Sequence, residues 1–321
     1  MKALRLRGFG GPEVMEVADV ETPGPPRADE ILVRVRAAGV NRADLLQRQG
    51  NYPAPPGSPP DILGLEFAGV VSAVGPDVHD LRIGDRVMGI VGGGAQAEFV
   101  LTNEPQVVLV PDGVSDTEAG GIPEAYITAH DALYVQGALG AGERVLIHAV
   151  GSGVGIAALQ LAKARGCTVF GTSRSKEKLD KATALGLDVA IDPTVGPFES
   201  LAHDIDVIID FIGAPYFENN LNALAVRGRL ISVSTLGGAA AALSLRTLMT
   251  KRLRIVGTML RSRSYEEKAE ATRLFARDVG PLLSIGAVRV PIDHVFKLEE
   301  AADAHRYVEE NQNFGKVVFS I

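Results

Sequence analysis

Apolar and polar residues alternate in short runs along the first 110 residues of the chain, and proline and glycine separate the runs. A period of two is typical of half-buried strands, and proline and glycine mark the turns between them. The runs are 1–7, 13–19, 30–38, 67–74, 86–90, 97–102 and 106–110. Short strands at this spacing predict a small β-barrel or sandwich.

A second pattern begins near Ser115, where strand and helix periods alternate. Ser115 and Glu118 have the spacing of a capping box, which predicts a helix from about Asp116 that is interrupted or bent near Pro123. Strand-like runs follow at 144–149, 168–172, 189–192, 206–211, 229–234 and 254–258, with helical runs such as 156–164 and 176–185 between them. This alternation predicts a parallel, doubly wound sheet of the Rossmann type.

The alternation ends after Arg261. The remaining pattern predicts helices over 265–285 and 298–310 and a short strand over 316–321. We interpret this tail as a return to the first domain. The chain is then expected to be an α/β protein in which residues 1–121 and 262–321 form one domain and residues 122–261 form an inserted dinucleotide-binding domain.

A glycine-rich segment, Val150-Gly-Ser-Gly-Val-Gly155, lies between the first strand and the first helix of the predicted Rossmann domain. Glycine lets the backbone approach a pyrophosphate, and a helix N-terminus offers free N–H groups. The strict G-x-G-x-x-G pattern is not met, because only Gly155 keeps its glycine position. The place of the segment in a βαβ unit still predicts dinucleotide binding. The predicted contacts are Gly151, Ser152, Gly153, Val154 and Gly155.

The end of the second Rossmann strand bears on the choice between NADH and NADPH. A site that prefers NAD usually has an acid there for the ribose hydroxyl. The segment Gly171-Thr-Ser-Arg-Ser-Lys-Glu-Lys178 has no acid at the strand tip. Ser173, Arg174 and Lys178 instead offer donors that suit a 2′-phosphate, which favours NADPH. An ordinary solvated helix start is the alternative.

Composition narrows the possible partners and compartments. The formal net charge of −7 opposes general attraction to nucleic acid or anionic lipid. The single cysteine, Cys167, excludes an intrachain disulfide framework and a multi-cysteine zinc site, and it fits a reducing compartment such as the cytoplasm. Arg5 and Arg7 interrupt the segment where a signal peptide would be apolar, and the most apolar window, 145–164, contains many polar and glycine positions. Neither secretion nor a membrane partner is expected.

Several ordered motifs resemble one known family. They are Ala37-Ala-Gly-Val-Asn-Arg-Ala-Asp-Leu-Leu-Gln-Arg-Gln-Gly-Asn-Tyr52, Asp61-Ile-Leu-Gly-Leu-Glu-Phe-Ala-Gly-Val-Val71, Gly84-Asp-Arg-Val87 and Leu260-Arg-Ser-Arg263. Over essentially its whole length the chain resembles the zinc-independent, zeta-crystallin-like quinone oxidoreductases of the medium-chain dehydrogenase/reductase superfamily. The resemblance implies a GroES-like β-barrel catalytic domain joined to a Rossmann domain, NADPH-dependent reduction of a quinone, and usually a homodimer.

The resemblance also implies an active site at Asn41, Asp44 and Tyr52. Asn41 would bond the nicotinamide ribose or the acceptor, Asp44 would anchor Asn41 or a water network, and Tyr52 would donate a proton. Turn, helix-start and loop-packing roles remain open for the three residues, and the proton could come from solvent. Further cofactor contacts are implied at Thr128, Gly213, Ser234, Asn313 and Lys316. A plain surface lysine is the alternative for Lys316.

Three further points concern metal binding, the position of Arg261 and the alternative functions. Zinc alcohol dehydrogenases of the superfamily carry Gly-His-Glu where this chain has Gly64-Leu65-Glu66, and leucine cannot bind zinc. No metal is therefore expected, and Glu66 is interpreted as a structural acid bonded to backbone or to a cation. Both a surface and a cleft position remain open for Arg261. The alternative functions are reduction of the C=C bond of an enone or alkenal, and an NADPH-binding sensor or RNA-binding role.

Overall fold

The computed structural model describes all 321 residues, Met1–Ile321, and the chain divides into two compact units. Unit 1 contains Met1–Ile127 and Leu260–Ile321, and unit 2 contains Thr128–Met259. The sequence placed the divisions at 121/122 and 261/262. The first observed division lies later, within the helix Pro123–His130, and the second lies slightly earlier, between Met259 and Leu260.

Fifteen strands, β1 to β15, form the sheets of the two units. They are β1 (Lys2–Leu6), β2 (Met15–Asp19), β3 (Glu30–Val40), β4 (Glu66–Val74), β5 (Arg86–Ile90), β6 (Phe99–Asn103), β7 (Val107–Leu109), β8 (Arg144–Ile147), β9 (Thr168–Thr172), β10 (Val189–Ile191), β11 (Ile205–Asp210), β12 (Leu224–Ser232), β13 (Arg254–Gly257), β14 (Ile292–Lys297) and β15 (Lys316–Ser320).

Ten α-helices, α1 to α10, connect and cover the strands. They are α1 (Arg42–Arg48), α2 (Asp116–Ala119), α3 (Pro123–His130), α4 (Gly153–Ala164), α5 (Lys176–Ala184), α6 (Phe217–Ala223), α7 (Leu245–Lys251), α8 (Tyr265–Asp278), α9 (Gly280–Ser284) and α10 (Ala301–Glu309). A π-helical turn, Asp131–Gln136, follows α3. No helix of the structure has both the length and the apolar character that a membrane span requires.

Unit 1 is built on a seven-stranded sheet with the order β14-β15-β3-β4-β5-β7, in which β6 also pairs with β3. Its longest strand follows the predicted alternation, since Val33, Val35 and Ala37 are buried whereas Arg34 and Arg36 between them are exposed. Each buried valine side chain stabilises the fold by about 1.5–3 kcal/mol. In the register of the sheet, Val40 of β3 pairs with Val317 of β15, and Ala38 of β3 pairs with Phe67 of β4. This register brings the start of α1 close to Glu66 and Lys316.

Unit 2 contains a six-stranded sheet with the order β10-β9-β8-β11-β12-β13, and every pair in it is parallel. The order reverses between β8 and β11, as in the Rossmann fold. Strands β8 and β11 are almost entirely buried, which explains their nearly continuous apolar sequence. The predicted doubly wound sheet is confirmed. Ligands of such sheets bind beyond the carboxyl ends of the strands at this reversal.

Several boundaries differ from the sequence prediction for identifiable reasons. The helix predicted over 265–285 is two helices, because α8 ends at Asp278 and Pro281 stands in the first turn of α9, where a missing N–H costs least. The interruption predicted near Pro123 is present, since α2 ends at Ala119 and Pro123 begins α3. The helix predicted over 298–310 starts with the 3-10 turn Leu298–Glu300. The helix α1 and the strand β14 were not predicted, and the expected helices between the later Rossmann strands, α6 and α7, were not located in the sequence. Each of these elements has only a few residues in which to show a period.

Candidate functional site

Four polar residues predicted or interpreted from the sequence meet inside unit 1, together with Glu124. We call Asn41, Asp44, Glu66, Glu124 and Lys316 the carboxylate cluster. Asn41 precedes α1, and its backbone N–H donates to Asp44 Oδ2 at 2.8 Å. Asp44 is fully buried, and its other oxygen accepts the N–H of Gly64 at 3.2 Å. Asp44 therefore fixes the loop that carries Asn41 and is also an acid in the first turn of a helix.

Glu66 is the centre of this cluster and is fully buried. Its Oε1 accepts from Asn41 Nδ2 at 2.9 Å and from Lys316 Nζ at 2.5 Å, and its Oε2 accepts the backbone N–H of Glu124 at 2.8 Å. Lys316 Nζ also donates to Asn41 Oδ1 at 2.6 Å. With 3% of its surface exposed, Lys316 is a buried ion-pair partner, so the surface-lysine interpretation is wrong.

A glycine makes the close approach of Glu66 possible. A Cβ at Gly39 would lie 2.0 Å from Glu66 Oε1, far inside contact distance. Any larger residue at this position of β3 would therefore displace the Glu66 carboxylate from Lys316 and Asn41.

Two carboxyl groups of the carboxylate cluster have pKa values shifted towards neutrality. Burial raises the pKa of Asp44 to about 6, against the lowering effect of the Asn41 and Gly64 N–H groups. Burial, and then the negative charge of Glu66, raises the pKa of Glu124 to about 8, with Lys316 acting in the opposite sense. Shifts of this kind are typical of groups that exchange protons in a functional site.

Sequence reasoning missed Glu124. It follows the proline that starts α3, and an acid in the first turn is the ordinary way to stabilise a helix N-terminus. The sequence pattern therefore gives Glu124 a sufficient structural explanation. Only the fold shows that Glu66 and Lys316 lie beside it.

Arg261 holds the loop that contains Tyr52. It is buried, and its guanidinium donates to the carbonyl oxygens of Gly92 and Tyr52 and to Gln47 Oε1, at 2.6–3.0 Å. The guanidinium carbon lies 4.9 Å from the centre of the Tyr52 ring. The surface interpretation of Arg261 is therefore wrong. Desolvation, and then Glu124, raises the pKa of the Tyr52 phenol above 10, which makes this phenol a weaker acid than an ordinary tyrosine.

The glycine-rich segment of unit 2 has the geometry of a phosphate loop. Ser152 caps α4, and its Oγ accepts the N–H of Gly155 at 3.1 Å. A Cβ at Gly155 would lie 2.6 Å from the carbonyl oxygen of Ala149, so this turn requires glycine. The backbone N–H groups of Gly153 and Val154 belong to the first turn of the helix, where N–H groups have no partner within the helix. They are suited to an anion.

The predicted 2′-phosphate residues lie around the start of α5. Ser175 caps this helix, and its N–H donates to Ser173 Oγ at 3.2 Å. A Cβ at Gly151 would lie 3.0 Å from Cβ and Cδ of Lys178, so the Lys178 side chain packs over the glycine-rich segment. Arg174 is exposed. A 2′-phosphate fits this place, which has an exposed guanidinium, a lysine beside the phosphate loop and no acid at the strand tip.

The other predicted cofactor residues have varied surroundings. Gly213 has φ +83°, and a Cβ there would lie 2.5 Å from the carbonyl oxygen of Gly238, so glycine is required. The N–H of Ser234 donates to the carbonyl of Asp210 at 3.4 Å. Thr128 is partly exposed in α3. Asn313 donates to the carbonyl of Gly315 at 2.8 Å and so stabilises its own turn. Cofactor contact by these residues stays a prediction.

A buried network that the sequence did not reveal links the strand ends of unit 2. We call His148, Thr172, Asn220 and Asp210 the histidine network. His148 Nδ1 lies 2.9 Å from Thr172 Oγ1, and His148 Nε2 lies 2.7 Å from Asn220 Oδ1. Asn220 Nδ2 donates to Asp210 Oδ2 at 3.2 Å, and Asp210 accepts the N–H groups of Ile212 and Gly213. Burial lowers the pKa of His148 to about 4.

The network assigns a tautomer to His148. Asn220 Oδ1 can only accept, because the amide nitrogen of Asn220 faces the Asp210 carboxylate. The proton of neutral His148 therefore lies on Nε2, and Nδ1 accepts from the Thr172 hydroxyl. The chain of bonds joins the ends of β8, β9 and β11 to the loop of Gly213, which is the edge of the sheet where a dinucleotide is predicted.

The structure brings together no group of three or more His, Cys, Asp or Glu side chains arranged to hold a metal ion. Leu65 is buried, and the adjacent Glu66 bonds an ammonium group through the same oxygen that accepts from Asn41. Cys167 is buried too, with its Sγ 3.4 Å from the carbonyl of Gly140.

Comparison with known proteins gives consistent results over the whole chain. Residues 27–112 match the family described as alcohol dehydrogenase GroES-like domain, and residues 153–277 match the family described as zinc-binding dehydrogenase. A quinone oxidoreductase of Pseudomonas aeruginosa is 34% identical over 99% of this chain and 98% of its own length. A quinone oxidoreductase of Sus scrofa is 35% identical over 95% of this chain and 93% of its own length.

Solved structures agree with this result. The crystal structure of Escherichia coli quinone oxidoreductase complexed with NADPH has a TM-score of 0.90 and 27% identity, and each chain is covered completely. The enoyl reductase CurK has a TM-score of 0.87 and 26% identity over 99% of this chain and 98% of its own. From the fold, the GroES-like and dinucleotide-binding segments and these full-length relatives, the chain belongs to the quinone oxidoreductase family of the medium-chain dehydrogenase/reductase superfamily.

Proposed function

We propose that this protein is an NADPH-dependent quinone oxidoreductase that works without zinc. The observation that carries the proposal is the phosphate loop of unit 2, with Lys178 packed over it, Arg174 exposed nearby and no acid at the strand tip. The full-length relatives named quinone oxidoreductase, and the E. coli relative solved with NADPH, support the same reaction. When bound, NADPH supplies the hydride that reduces the acceptor.

The chain's own residues would bind and orient the cofactor. The N–H groups of Gly153 and Val154 at the start of α4 would hold the pyrophosphate, and Gly151, Ser152 and Gly155 would give the loop its shape around it. Ser173, Arg174 and Lys178 would hold the 2′-phosphate. The histidine network would keep the Gly213 loop and the end of β9 in the shape that this contact needs. We retain Thr128, Gly213, Ser234, Asn313 and Lys316 as proposed cofactor contacts.

The carboxylate cluster would present one polar group to the reactants. Both ends of the Asn41 amide are engaged, since its nitrogen donates to Glu66 and its oxygen accepts from Lys316. One N–H of Asn41 is left to bond the nicotinamide ribose or the acceptor. Asp44 fixes this orientation through the Asn41 backbone, and Tyr52 lies in the loop held by Arg261.

Zinc independence rests on the chemistry of the donors. Leucine occupies position 65, where the zinc alcohol dehydrogenases have histidine, and it cannot bind a metal. Glu66 already accepts three hydrogen bonds, one of them from a lysine ammonium. A cation at this place would have to displace Lys316.

The first test is a steady-state assay of NADPH and NADH oxidation with 9,10-phenanthrenequinone and with a small enone, in the presence of a chelator. We expect strong NADPH-dependent reduction of the quinone that the chelator does not change. Loss of turnover with the chelator, followed by recovery with Zn²⁺, would contradict zinc independence. Tight NADPH binding without quinone reduction would contradict the quinone assignment.

Cofactor preference has its own test. The double variant Arg174→Ala/Lys178→Ala should weaken NADPH binding by about a hundredfold or more, because each of the two charge-assisted bonds to the 2′-phosphate contributes about 1.5–3 kcal/mol. NADH binding should change little. The exposed Arg246→Ala is the matched control in the same unit. Equal losses for both cofactors would refute the assignment.

Reduction of an enone C=C bond is the second candidate, and the likeness to the enoyl reductase CurK favours it. The reaction begins in the same way, but the hydride goes to carbon and the product needs a proton at a defined place. Product analysis with equal concentrations of quinone and enone separates the two candidates.

We also propose a homodimer that works in the cytoplasm. Strand β13 is an edge strand of the unit 2 sheet, and the exposed apolar residues Leu245, Met249 and Ile255 lie on it or on α7 just before it. An exposed apolar edge is suited to pairing with a second copy. Light scattering should give twice the chain mass, and Ile255→Lys should lower it, whereas Val195→Lys, at another exposed position of unit 2, should not. A wild-type monomer would refute the dimer.

A further inference from the structure

Residues 52–60, which follow α1 and begin with Tyr52, form a loop that we call the proline loop. Five of its nine residues are proline, which has no N–H, so most of the loop cannot donate backbone hydrogen bonds. Within the loop, the N–H of Ser58 donates to the carbonyl of Pro55 at 3.1 Å. At its tip Gly57 is exposed and has a φ of +86°, a conformation that favours glycine. The shape of the proline loop therefore depends on groups outside it.

Two buried side chains, Gln47 and Arg261, join the ends of the proline loop, and we call them the clamp pair. Gln47 Nε2 donates to the carbonyl of Pro60, the last residue of the loop, at 3.1 Å, and Gln47 Oε1 accepts from Arg261 at 2.6 Å. Arg261 in turn donates to the carbonyl of Tyr52, the first residue, at 3.0 Å. The amide orientation of Gln47 is fixed, because the reverse one would place its NH₂ group against the guanidinium. The clamp pair thus holds both ends of the loop.

The middle of the proline loop lies against a glycine segment that follows β5. A Cβ at Gly92 would lie 2.1 Å from Ser58 Oγ and 2.7 Å from Cγ of Pro55, so only glycine leaves room for the loop there. Arg261 also donates to the carbonyl of Gly92, at 2.8 and 2.9 Å. The clamp pair therefore holds the loop and the glycine segment that it contacts in one arrangement.

The helix α1 connects the clamp pair to the carboxylate cluster. Asp44 lies in the first turn of this short helix, Gln47 lies in its last, and both are buried. Burial raises the pKa of Asp44, and the charge of Arg261 acts against that rise. Burial, and then the charge of Glu124, raises the pKa of the Tyr52 phenol. Tyr52 therefore lies within electrostatic range of the cluster whose amide we propose to bond the acceptor.

We propose that Gln47 is a positioning residue for the acceptor, and that with Arg261 it holds the proline loop in the shape that receives a quinone. The inference rests on the proposed function. In this role Gln47 contacts neither the cofactor nor the reacting atoms, and it acts through the loop that carries Tyr52. A loop that is ordered before binding does not lose conformational entropy when the acceptor enters, so the acceptor binds more tightly. The gain grows with the acceptor area that rests on the loop, and a quinone of several fused rings offers more area than a small enone.

The test compares wild type with Gln47→Met, whose side chain has a similar volume and makes neither hydrogen bond. With 9,10-phenanthrenequinone and saturating NADPH we expect KM to rise about threefold to tenfold, which is the scale on which ordering one or two side chains changes binding. Because a saturating acceptor orders the loop, kcat should change little. The affinity for NADPH should not change, and KM for the small enone should rise less. Gln49→Met, at an exposed glutamine two residues further on, is the matched control.

A second readout does not depend on turnover. Protein that carries fluorinated tyrosine should give one narrow fluorine NMR signal from Tyr52, which Tyr52→Phe identifies by its loss. In Gln47→Met this signal should broaden or move towards its position in the unfolded protein, and Gln49→Met should leave it unchanged. A general loss of packing would also move the signals of the other five tyrosines, so the pattern separates a positioning role from a merely structural one.

Two milder variants divide the clamp pair into its separate bonds and carry the test if Gln47→Met does not fold. Gln47→Glu keeps an oxygen for Arg261 and loses only the donor to Pro60, so KM should rise less than in Gln47→Met. Arg261→Lys keeps the charge and loses the planar fork of donors. Combined with Gln47→Glu, it should raise KM by less than the product of the two single effects, because both changes weaken the same clamp.

An unchanged KM for the quinone in folded Gln47→Met would overturn the positioning role, whatever the Tyr52 signal shows. Single effects that multiply in the double variant would show that Gln47 and Arg261 do not act as one clamp. Failure of wild type to reduce either acceptor, with a Tyr52 signal that still responds to Gln47→Met, would instead overturn the proposed function.

Discussion

The two units each contain a buried polar network. In one network every donor has a matching acceptor, whereas in the other the acids outnumber the cations. In the histidine network each ring nitrogen of His148 has one partner of the required kind, and the ring is neutral. In the carboxylate cluster three acids lie near two buried cations, and two of these acids have pKa values between about 6 and 8. A network with matched donors and acceptors fixes a geometry, whereas one with an excess carboxyl group can store and release a proton.

The same difference gives the two networks opposite effects of pH on stability. The pKa of folded His148 is lowered from 6.5 to about 4. Its contribution to the free energy of unfolding is therefore fully present above pH 6.5 and is lost as the pH falls towards 4. The pKa of folded Glu124 is raised from 4.5 to about 8. Its contribution to the free energy of unfolding is therefore fully present below pH 4.5 and is lost as the pH rises through 8. Variants of the two networks should therefore respond to pH in opposite directions.

The largest effect is expected for Lys316→Met. The change leaves the fully buried Glu66 without its ammonium partner, and breaking a buried pair from one side typically costs about 3–5 kcal/mol. Urea unfolding near neutral pH measures the loss. Lys297→Met, at an exposed lysine of the same unit, is the control and should change little. Adding Glu66→Gln should recover part of the loss. A cost below about 1 kcal/mol, as for an exposed pair, would show that Glu66 is not dependent on Lys316.

An intermediate effect is expected for His148→Leu. Thr172 and Asn220 would both lose a buried partner, at a cost of about 1–3 kcal/mol near neutral pH. The cost should shrink between pH 6.5 and 4, because wild type loses the contribution of neutral His148 over that range. His203→Leu replaces an exposed histidine of the same unit for comparison. A cost independent of pH would contradict the neutral state of His148.

The smallest effect, and one of opposite sign, is expected for Glu124→Gln. Near pH 4.5 the variant should be about as stable as wild type, because Glu124 is then largely neutral in the folded chain and the two side chains have similar shapes. Above pH 8 it should be more stable by about 1 kcal/mol or more, because wild type must then hold an extra buried anion. Urea unfolding at the two pH values measures the difference. A loss of stability at alkaline pH would mean that ionised Glu124 has a cation partner in the folded protein.

Most of the fold could be predicted from the sequence, because its longer elements carry a clear period. The central strands of the Rossmann sheet, β8, β9 and β11, are almost entirely buried and appear as apolar runs. The alternation in β3 is equally clear, with exposed Arg34 and Arg36 between the buried Val33, Val35 and Ala37. Elements of about seven residues, such as α1 and α6, were missed, because two turns of helix contain too few apolar positions to establish a period.

The candidate site was harder to predict, since its geometry depends on pairs that are distant in sequence. Asn41 and Asp44 are close in the sequence and could be proposed from one segment. Lys316 contacts both Asn41 and Glu66, but nothing near Lys316 in the sequence indicates this. Glu124 was missed because its place at a helix start is already a common one for an acid. The histidine network was missed because a histidine after a buried strand has no pattern that distinguishes it.

The ion pair between Glu66 and Lys316 also has a consequence for the order in which the protein folds during synthesis. The two residues are 250 positions apart, and all of unit 2 lies between them in the chain. Strand β15, which carries Lys316, is the pairing partner of β3 and the last strand of the seven-stranded sheet to be translated. While a ribosome is translating unit 2, the emerged part of unit 1 contains Glu66 without its cation and β3 with a vacant edge. Such contacts of high sequence separation form late and slowly, so Glu66 gains its cation and the edge of β3 gains its partner only after unit 2 has been translated.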